Sequence, residues 1–91
     1  MKENLKELEV ILKGLANIKR LKILNYLNKS GERDTADIAD YLNINYKLAI
    51  PHLERLIKAK LVTKRRDGLI VNYRITNLGK RVLKILKHLK I

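Results

Sequence analysis

The sequence predicts a mainly α-helical fold with one small antiparallel β-hairpin, in the order helix, helix, helix, helix, hairpin, helix. Three observations carry that expectation. Apolar residues recur at three- and four-residue spacings from the N-terminus to Ala59. Breaker residues cut that stretch into four pieces. Beyond Ala59 the period falls to two, until Ile75. At 91 residues the chain is expected to form one domain, 1–91.

The first helix is expected from Lys2 to Ala16. Leu5, Leu8, Leu12 and Leu15 form a seam along it, and Glu9 and Lys13 stand four apart on its flank. Such a seam packs inside its own molecule or against a second copy, and its place at a terminus favours the second copy. Asn17 is a cap for a second helix, Ile18 to Asn28, with Leu21, Leu24 and Leu27 inward and Ile23 beside them. Lys29-Ser30-Gly31 ends it. A third helix starts near Asp34, which has Asp37 at capping-box spacing, and runs through Ile38, Ala39 and Leu42 to stop at Asn43. A fourth, 46–59, begins near Asn45 and carries Leu48, Leu53, Leu56 and Ile57.

Two β-prone runs follow, Leu61 to Arg66 and Leu69 to Ile75. Asp67-Gly68 between them is a dipeptide suited to a turn in which both central residues take positive φ. Thr76 or Asn77 then caps a last helix to Lys90, with Leu78, Val82, Ile85, Leu86 and Leu89 on one side. The apolar faces of the first and last helices are candidate dimer surfaces.

Charge narrows the range of functions. Twenty-one Lys and Arg against nine Asp and Glu leave +12, which attracts polyanions, nucleic acid foremost. The excess is unevenly placed. Residues 32–45 carry −3, whereas 46–60 and 61–75 carry +3 each. A uniformly basic surface would not divide in this way. There is no cysteine, so disulfides, thiolate catalysis and thiolate metal sites are excluded. The N-terminus has no secretory signal core and no apolar run approaches the roughly 20 residues of a membrane span, so a cytoplasmic protein is expected. The one serine, Ser30, has no acid–base partner at readable spacing, and the four glycines are scattered. No enzyme chemistry, cofactor or metal is expected.

Helix 34–42, the turn Asn43-Ile44-Asn45 and helix 46–59 form a helix-turn-helix. Such a unit lays its second helix in the major groove of duplex DNA, N-terminal residues foremost. The expected contacts from that helix are Asn45, Tyr46, Lys47, Ile50 and Arg55. The hairpin adds Lys64, Arg65 and Arg66 before the turn, with Asn72 and Arg74 on the returning strand. Alternation sets Val71, Tyr73 and Ile75 on one face and Asn72 and Arg74 on the other. A basic ribbon beside a reading helix is a wing, which tracks the phosphate backbone or enters the minor groove. The fold class is therefore a winged helix-turn-helix.

Over nearly its full length the chain resembles the ArsR-type winged-helix regulators. The matching stretches are Leu15-Ala16-Asn17-Ile18-Lys19-Arg20-Leu21-Lys22-Ile23-Leu24, Ile44-Asn45-Tyr46-Lys47 and His52-Leu53-Glu54-Arg55-Leu56, followed by Leu61 to Gly68 and Tyr73-Arg74-Ile75-Thr76. The resemblance implies a homodimer built by the first and last helices, and repression of transcription. Three departures stand out. Where many members hold metal through a cysteine motif, this chain reads Asp34-Thr35-Ala36-Asp37-Ile38-Ala39, so soft-metal sensing of that kind is lost. Pro51 lies inside the reading helix, where it should kink the helix or shift its start. Lys60 replaces a common helix-ending glycine.

Among single residues, His52 is expected to pack and make a backbone contact in preference to binding metal. Asp37 and Asp40 read as capping and solvated carboxylates, and His88 as exposed. Tyr26 and Tyr41 stand in for absent phenylalanine, and Tyr73 anchors the wing. The reading that covers most of these features is a sequence-specific regulator of double-stranded DNA. The alternatives are a non-specific architectural DNA-binding protein and a winged-helix protein-interaction module; attachment of the basic last helix to a membrane is not expected.

Overall fold

The computed structural model describes residues 4–89. The elements are α1 (Leu5–Leu15), α2 (Ile18–Ser30), β1 (Arg33–Asp34), α3 (Thr35–Leu42), α4 (Tyr46–Lys58), β2 (Val62–Asp67), β3 (Ile70–Ile75) and α5 (Asn77–Lys87). Lys2, Glu3 and Lys90, at the ends of the expected terminal helices, lie outside the described residues. The helix starts follow local chemistry. Asn4, Asn17, Asp34, Asn45 and Thr76 each accept a hydrogen bond from a first-turn backbone N–H, satisfying donors that the helix itself leaves unpaired.

Two helices end on residues in the left-handed region, Asn43 at φ 55° and Lys60 at φ 62°. Around Lys60, its own N–H donates to Ile57 O and that of Leu61 to Leu56 O, the paired bonding of a Schellman ending. The expected strain of a lysine at this glycine position is therefore present in the backbone. Pro51 acts differently from expectation. Helix α4 is unbroken across it and starts where expected, at Tyr46. Only the bond that its missing amide would give to Lys47 O is lost.

The sheet has three strands in the order β1-β3-β2, all antiparallel. Strand β1 was not expected: Arg33 pairs with Tyr73 and Asp34 with Asn72. The hairpin turn also corrects the expectation by one residue. Asp67 pairs with Ile70, so the central turn residues are Gly68 and Leu69 instead of Asp67 and Gly68. Gly68 has φ 64° and Leu69 is not in the positive-φ region, the pattern of a turn with glycine at its first central position.

The core joins Ile23, Leu24 and Leu27 of α2 to Ile38 of α3, Leu53 and Leu56 of α4, Leu61, and the strand residues Val62, Tyr73 and Ile75. Tyr73 anchors the wing to this core as expected. Leu21 is only half-buried, and Ile23 takes the inner position assigned to it. On α5 the buried apolar residue is Leu83, which the sequence reading left out, while Leu78 and Val82 pack at the edge and Ile85 is exposed. Tyr26 and Tyr41 stack face to face with ring centroids 4.1 Å apart, and the Arg33 guanidinium lies 6.0 Å from the Tyr26 centroid. No helix among the described residues is long and apolar enough to cross a membrane.

Candidate nucleic-acid interface

The apolar residues of α4 fix which side of it faces outward. Ala49, Leu53 and Leu56 are buried, so Lys47, Pro51, Glu54 and Lys58 form an exposed stripe at helical spacing. At the start of that stripe Asn45 Oδ1 accepts from Lys47 N at 2.8 Å. The cap uses the Asn45 oxygen and leaves its amide N–H groups as donors. Tyr46 and Lys47 are exposed beside it, as is Leu48, while Ile50 is half-buried. Arg55 is also exposed but borders a depression with Glu9, Val10, Lys13, Gly14 and Lys58. That places it toward α1 and away from the first turn of α4.

The ladder divides the wing cations between two faces. Lys64 pairs with Tyr73 and Arg66 with Val71, whereas Arg65 pairs with Asn72 and Thr63 with Arg74. Paired residues point to the same side of a sheet, so Lys64 and Arg66 share the side of buried Tyr73. Arg65, Asn72 and Arg74 share the other. On the Tyr73 side, Lys64 Nζ lies 3.5 Å from Glu54 Oε1, which joins the wing to the exposed stripe of α4. The Glu54–Lys64 pair thus sets Lys64, with Arg66 on the same face of the wing, against the exposed stripe that begins at Lys47, while Arg65, Asn72 and Arg74 lie on the other face.

Arg65 is occupied. Its Nη2 donates to Glu32 Oε2 at 2.7 Å, and Nη1 lies 3.9 Å from Asp67 Oδ2. The bond from Arg65 holds the Glu32 carboxyl below its usual value, with Arg74 adding to the effect, and Glu32 in turn raises the Arg65 guanidinium. Glu32 directly follows the Gly31 breaker, and no local pattern points to its partner 33 residues away.

Beneath the interface lies a contact the sequence reading missed. Arg20, 8% exposed, donates from Nε to Gly14 O at 2.7 Å and from Nη2 to Lys13 O at 3.1 Å. Its Nη1 sits 3.2 Å from His52 Nδ1. His52 is half-buried, and this side-chain contact joins it to α2. Burial, then Arg20, Lys19 and Arg55, pushes the His52 imidazole below its usual value, and because a guanidinium can only donate, Nδ1 is the acceptor in this contact. Burial and Arg55 also lower the Arg20 guanidinium. The signal for this contact was a charged residue at position 20 in the buried row 20, 23, 24, 27.

The apolar faces of the terminal helices are also laid out. Val10 and Ile11 turn α1 toward the core, leaving Leu5, Leu8 and Leu12 exposed, with Leu15 half-buried. One shallow depression runs along Leu5, Leu8, Leu12 and Ala16; another is lined by Leu12, Ala16, Leu83, Leu86 and Leu89. They meet at Leu12 and Ala16, so the outer faces of α1 and α5 are continuous. Among the described residues no group of three or more His, Asp or Glu is placed to hold a metal ion.

Comparison with known proteins agrees with this architecture. Residues 17–64 match the sequence model of the arsR family of bacterial regulatory proteins. The arsenical resistance operon repressor of Staphylococcus aureus is 36% identical over 63 residues, which span 69% of this chain and 60% of the repressor. A homodimeric winged helix-turn-helix DNA-binding domain from Mycobacterium bovis superposes with a TM-score of 0.85 at 32% identity, over 93% of this chain and 79% of that one. HlyU from Vibrio cholerae superposes with a TM-score of 0.83 at 27% identity, over 99% and 98%.

Proposed function

The chain belongs to the arsR family of bacterial regulatory proteins, and from that premise we propose that it is a sequence-specific, double-stranded DNA-binding transcriptional regulator acting as a homodimer. Residues 1–91 act as one unit in the cytoplasm, where the DNA is, and no catalytic step or metal is part of the function. Helix α4 enters the major groove with Asn45, Tyr46 and Lys47 leading. Lys64 and Arg66 contact the phosphates beside it.

The observation that carries this reading is the 3.5 Å Glu54–Lys64 pair. It sets the wing beside the exposed stripe of α4, which supports two cationic elements meeting a duplex from one side. Within that pair Glu54 offsets Lys64, which leaves Lys47 and Arg66 as the stronger phosphate anchors. Ile50, half-buried, supports the helix more than it reads bases. Arg65 is taken by Glu32, and Asn72 and Arg74 lie behind the sheet, so these three shape the wing.

The dimer is supported by the continuous apolar face of α1 and α5. Leu5, Leu8, Leu12, Ile85, Leu86 and Leu89 supply its surface, while Leu15, Leu78 and Val82 tie it to the core. Exposed leucines in such number on a chain this small are stabilised by burial against a second copy. A two-fold axis there would set two reading helices about 34 Å apart, one turn of the duplex.

Selection of bound sites from a random duplex pool tests the proposal. The expected result is an inverted repeat whose half-sites are centred about 10 bp apart. Equal competition by random duplex would replace it with architectural coating. Absence of any duplex binding at low salt would replace it with a protein-interaction module.

A further inference from the structure

The apex of the hairpin is apolar. Leu69 is 99% exposed and Ile70 53% exposed, although Arg65, Arg66 and Lys64 stand just behind them. Folding gives no reason for a leucine there. It touches no core residue, and the turn geometry is supplied by Gly68 at φ 64°. Leaving an aliphatic side chain in water forgoes its transfer free energy.

We infer that the wing tip is an apolar wedge for the DNA minor groove, with Leu69 at its point and Arg66 on the flanking phosphates. The inference rests on the DNA-binding reading above and adds the chemistry of the contact. The minor groove is about 6 Å wide, and paired strands are already about 4.8 Å apart before their side chains are added. A ribbon of this kind cannot enter whole; one apical side chain can. Asp67, beside the apex, would repel phosphate; Arg65 Nη1, 3.9 Å from its carboxylate but shared with Glu32, offsets only part of that charge, and Arg66 next to it supplies the remaining cation.

An aliphatic side chain in the minor groove packs on sugars and base edges and partly unstacks a base step, which is easiest at flexible pyrimidine–purine steps. The wing thus contributes a sequence preference at positions that α4 does not reach, by deformability instead of hydrogen bonding.

The test compares wild type, Leu69→Asn and Leu69→Met on a duplex selected by the wild type. That duplex carries either a TA step or a stiff A-tract under the wing. Each is titrated over a range of salt. The wild type is expected to prefer the TA duplex. Leu69→Asn should bind about fivefold more weakly per wing, lose that preference and keep the wild-type salt slope. Leu69→Met should keep both affinity and preference. If Leu69→Asn behaves as wild type, or Leu69→Met is as weak as Leu69→Asn, the wedge is wrong while DNA binding stands. A selection in which the wild type recovers no duplex overturns the wedge together with the reading beneath it.

Discussion

The Nη1 of Arg20 meets Nδ1 of His52 at 3.2 Å, linking the end of α1 to the middle of α4 through one buried guanidinium. The same side chain closes the C-terminal turn of α1, because the carbonyls of Lys13 and Gly14 have no helical donor and take theirs from Arg20.

Arg20→Ala removes donors from two backbone carbonyls and from His52 together. Partly buried acceptors left unpaired cost about 1–3 kcal/mol each before water reaches them. A net loss of about 2–4 kcal/mol is expected, seen as a lower urea midpoint. A variant with the wild-type midpoint would mean that solvent satisfies those carbonyls equally well.

His52 makes stability depend on pH. Its native value is depressed, by burial first and then by Arg20, Lys19 and Arg55. Below about pH 6.5, the ordinary histidine value, the unfolded chain therefore binds a proton that the native state resists. Stability from this group is complete above that pH and is lost as the pH falls through it toward the native value. Urea midpoints measured from pH 8 to pH 5 should drop through this window. His52→Gln, which can still accept from Arg20, should flatten the drop; an equally steep profile would assign it to other groups.

Among the described residues Lys47 and Arg66 have no ion-pair partner, whereas Arg65 is held by Glu32. Lys47→Ala and Arg66→Ala should each weaken DNA binding and lower the slope of log affinity against log salt by about one unit. Arg65→Ala should leave the slope unchanged. Glu32→Gln releases the Arg65 guanidinium and removes a negative charge near the wing, so binding at low salt should strengthen. A lower slope for Arg65→Ala would place Arg65 on the duplex.

Two backbone positions give opposite effects on thermal unfolding. A Cβ at Gly79 would stand 2.5 Å from Leu61 O and 2.6 Å from Ile75 Cγ1. Gly79→Ala must therefore push α5 off the sheet and should cost about 1–3 kcal/mol. Lys60, at φ 62°, carries a side chain where glycine is unstrained. Lys60→Gly should stabilise the fold by about 0.5–1 kcal/mol after the added freedom of the unfolded chain is counted, and so raise the unfolding midpoint.

Leu12 lies where the two apolar depressions meet. Leu12→Asp should give a monomer by sedimentation equilibrium and lose most affinity for a two-half-site duplex. Because Leu12 is 58% exposed, the fold itself should survive. A dimeric Leu12→Asp protein would move the subunit interface elsewhere.

Local chemistry made most of the architecture legible. Caps, apolar spacing and a Gly-containing turn act within a few residues, so four helix starts and the hairpin were readable directly. Strand β1 was not, because Arg33 and Asp34 have no β-forming character and pair only where the folded chain brings β3 alongside. The turn was displaced by one residue because Asp67-Gly68 suits a type I′ turn, while the pairing of Asp67 with Ile70 puts Leu69 in the bend. In the site, exposure of Tyr46 and Lys47 followed from helical spacing. The separation of Arg65 from Arg66 follows from strand alternation, but its effect depends on Glu32, which sequence distance hides. Arg20 did leave a trace, a cation in an otherwise apolar row.

Asp34 belongs to two elements at once. It closes β1 against Asn72 and accepts from the Asp37 N–H at 2.8 Å to begin α3. Besides the Glu54–Lys64 pair and the shared core, Asp34 thus ties the wing to the helix-turn-helix, its backbone held by the sheet and its side chain by the helix. A joint held at both ends limits how far the span between α4 and the hairpin can adapt, so on the proposed reading part of the fit falls to the duplex.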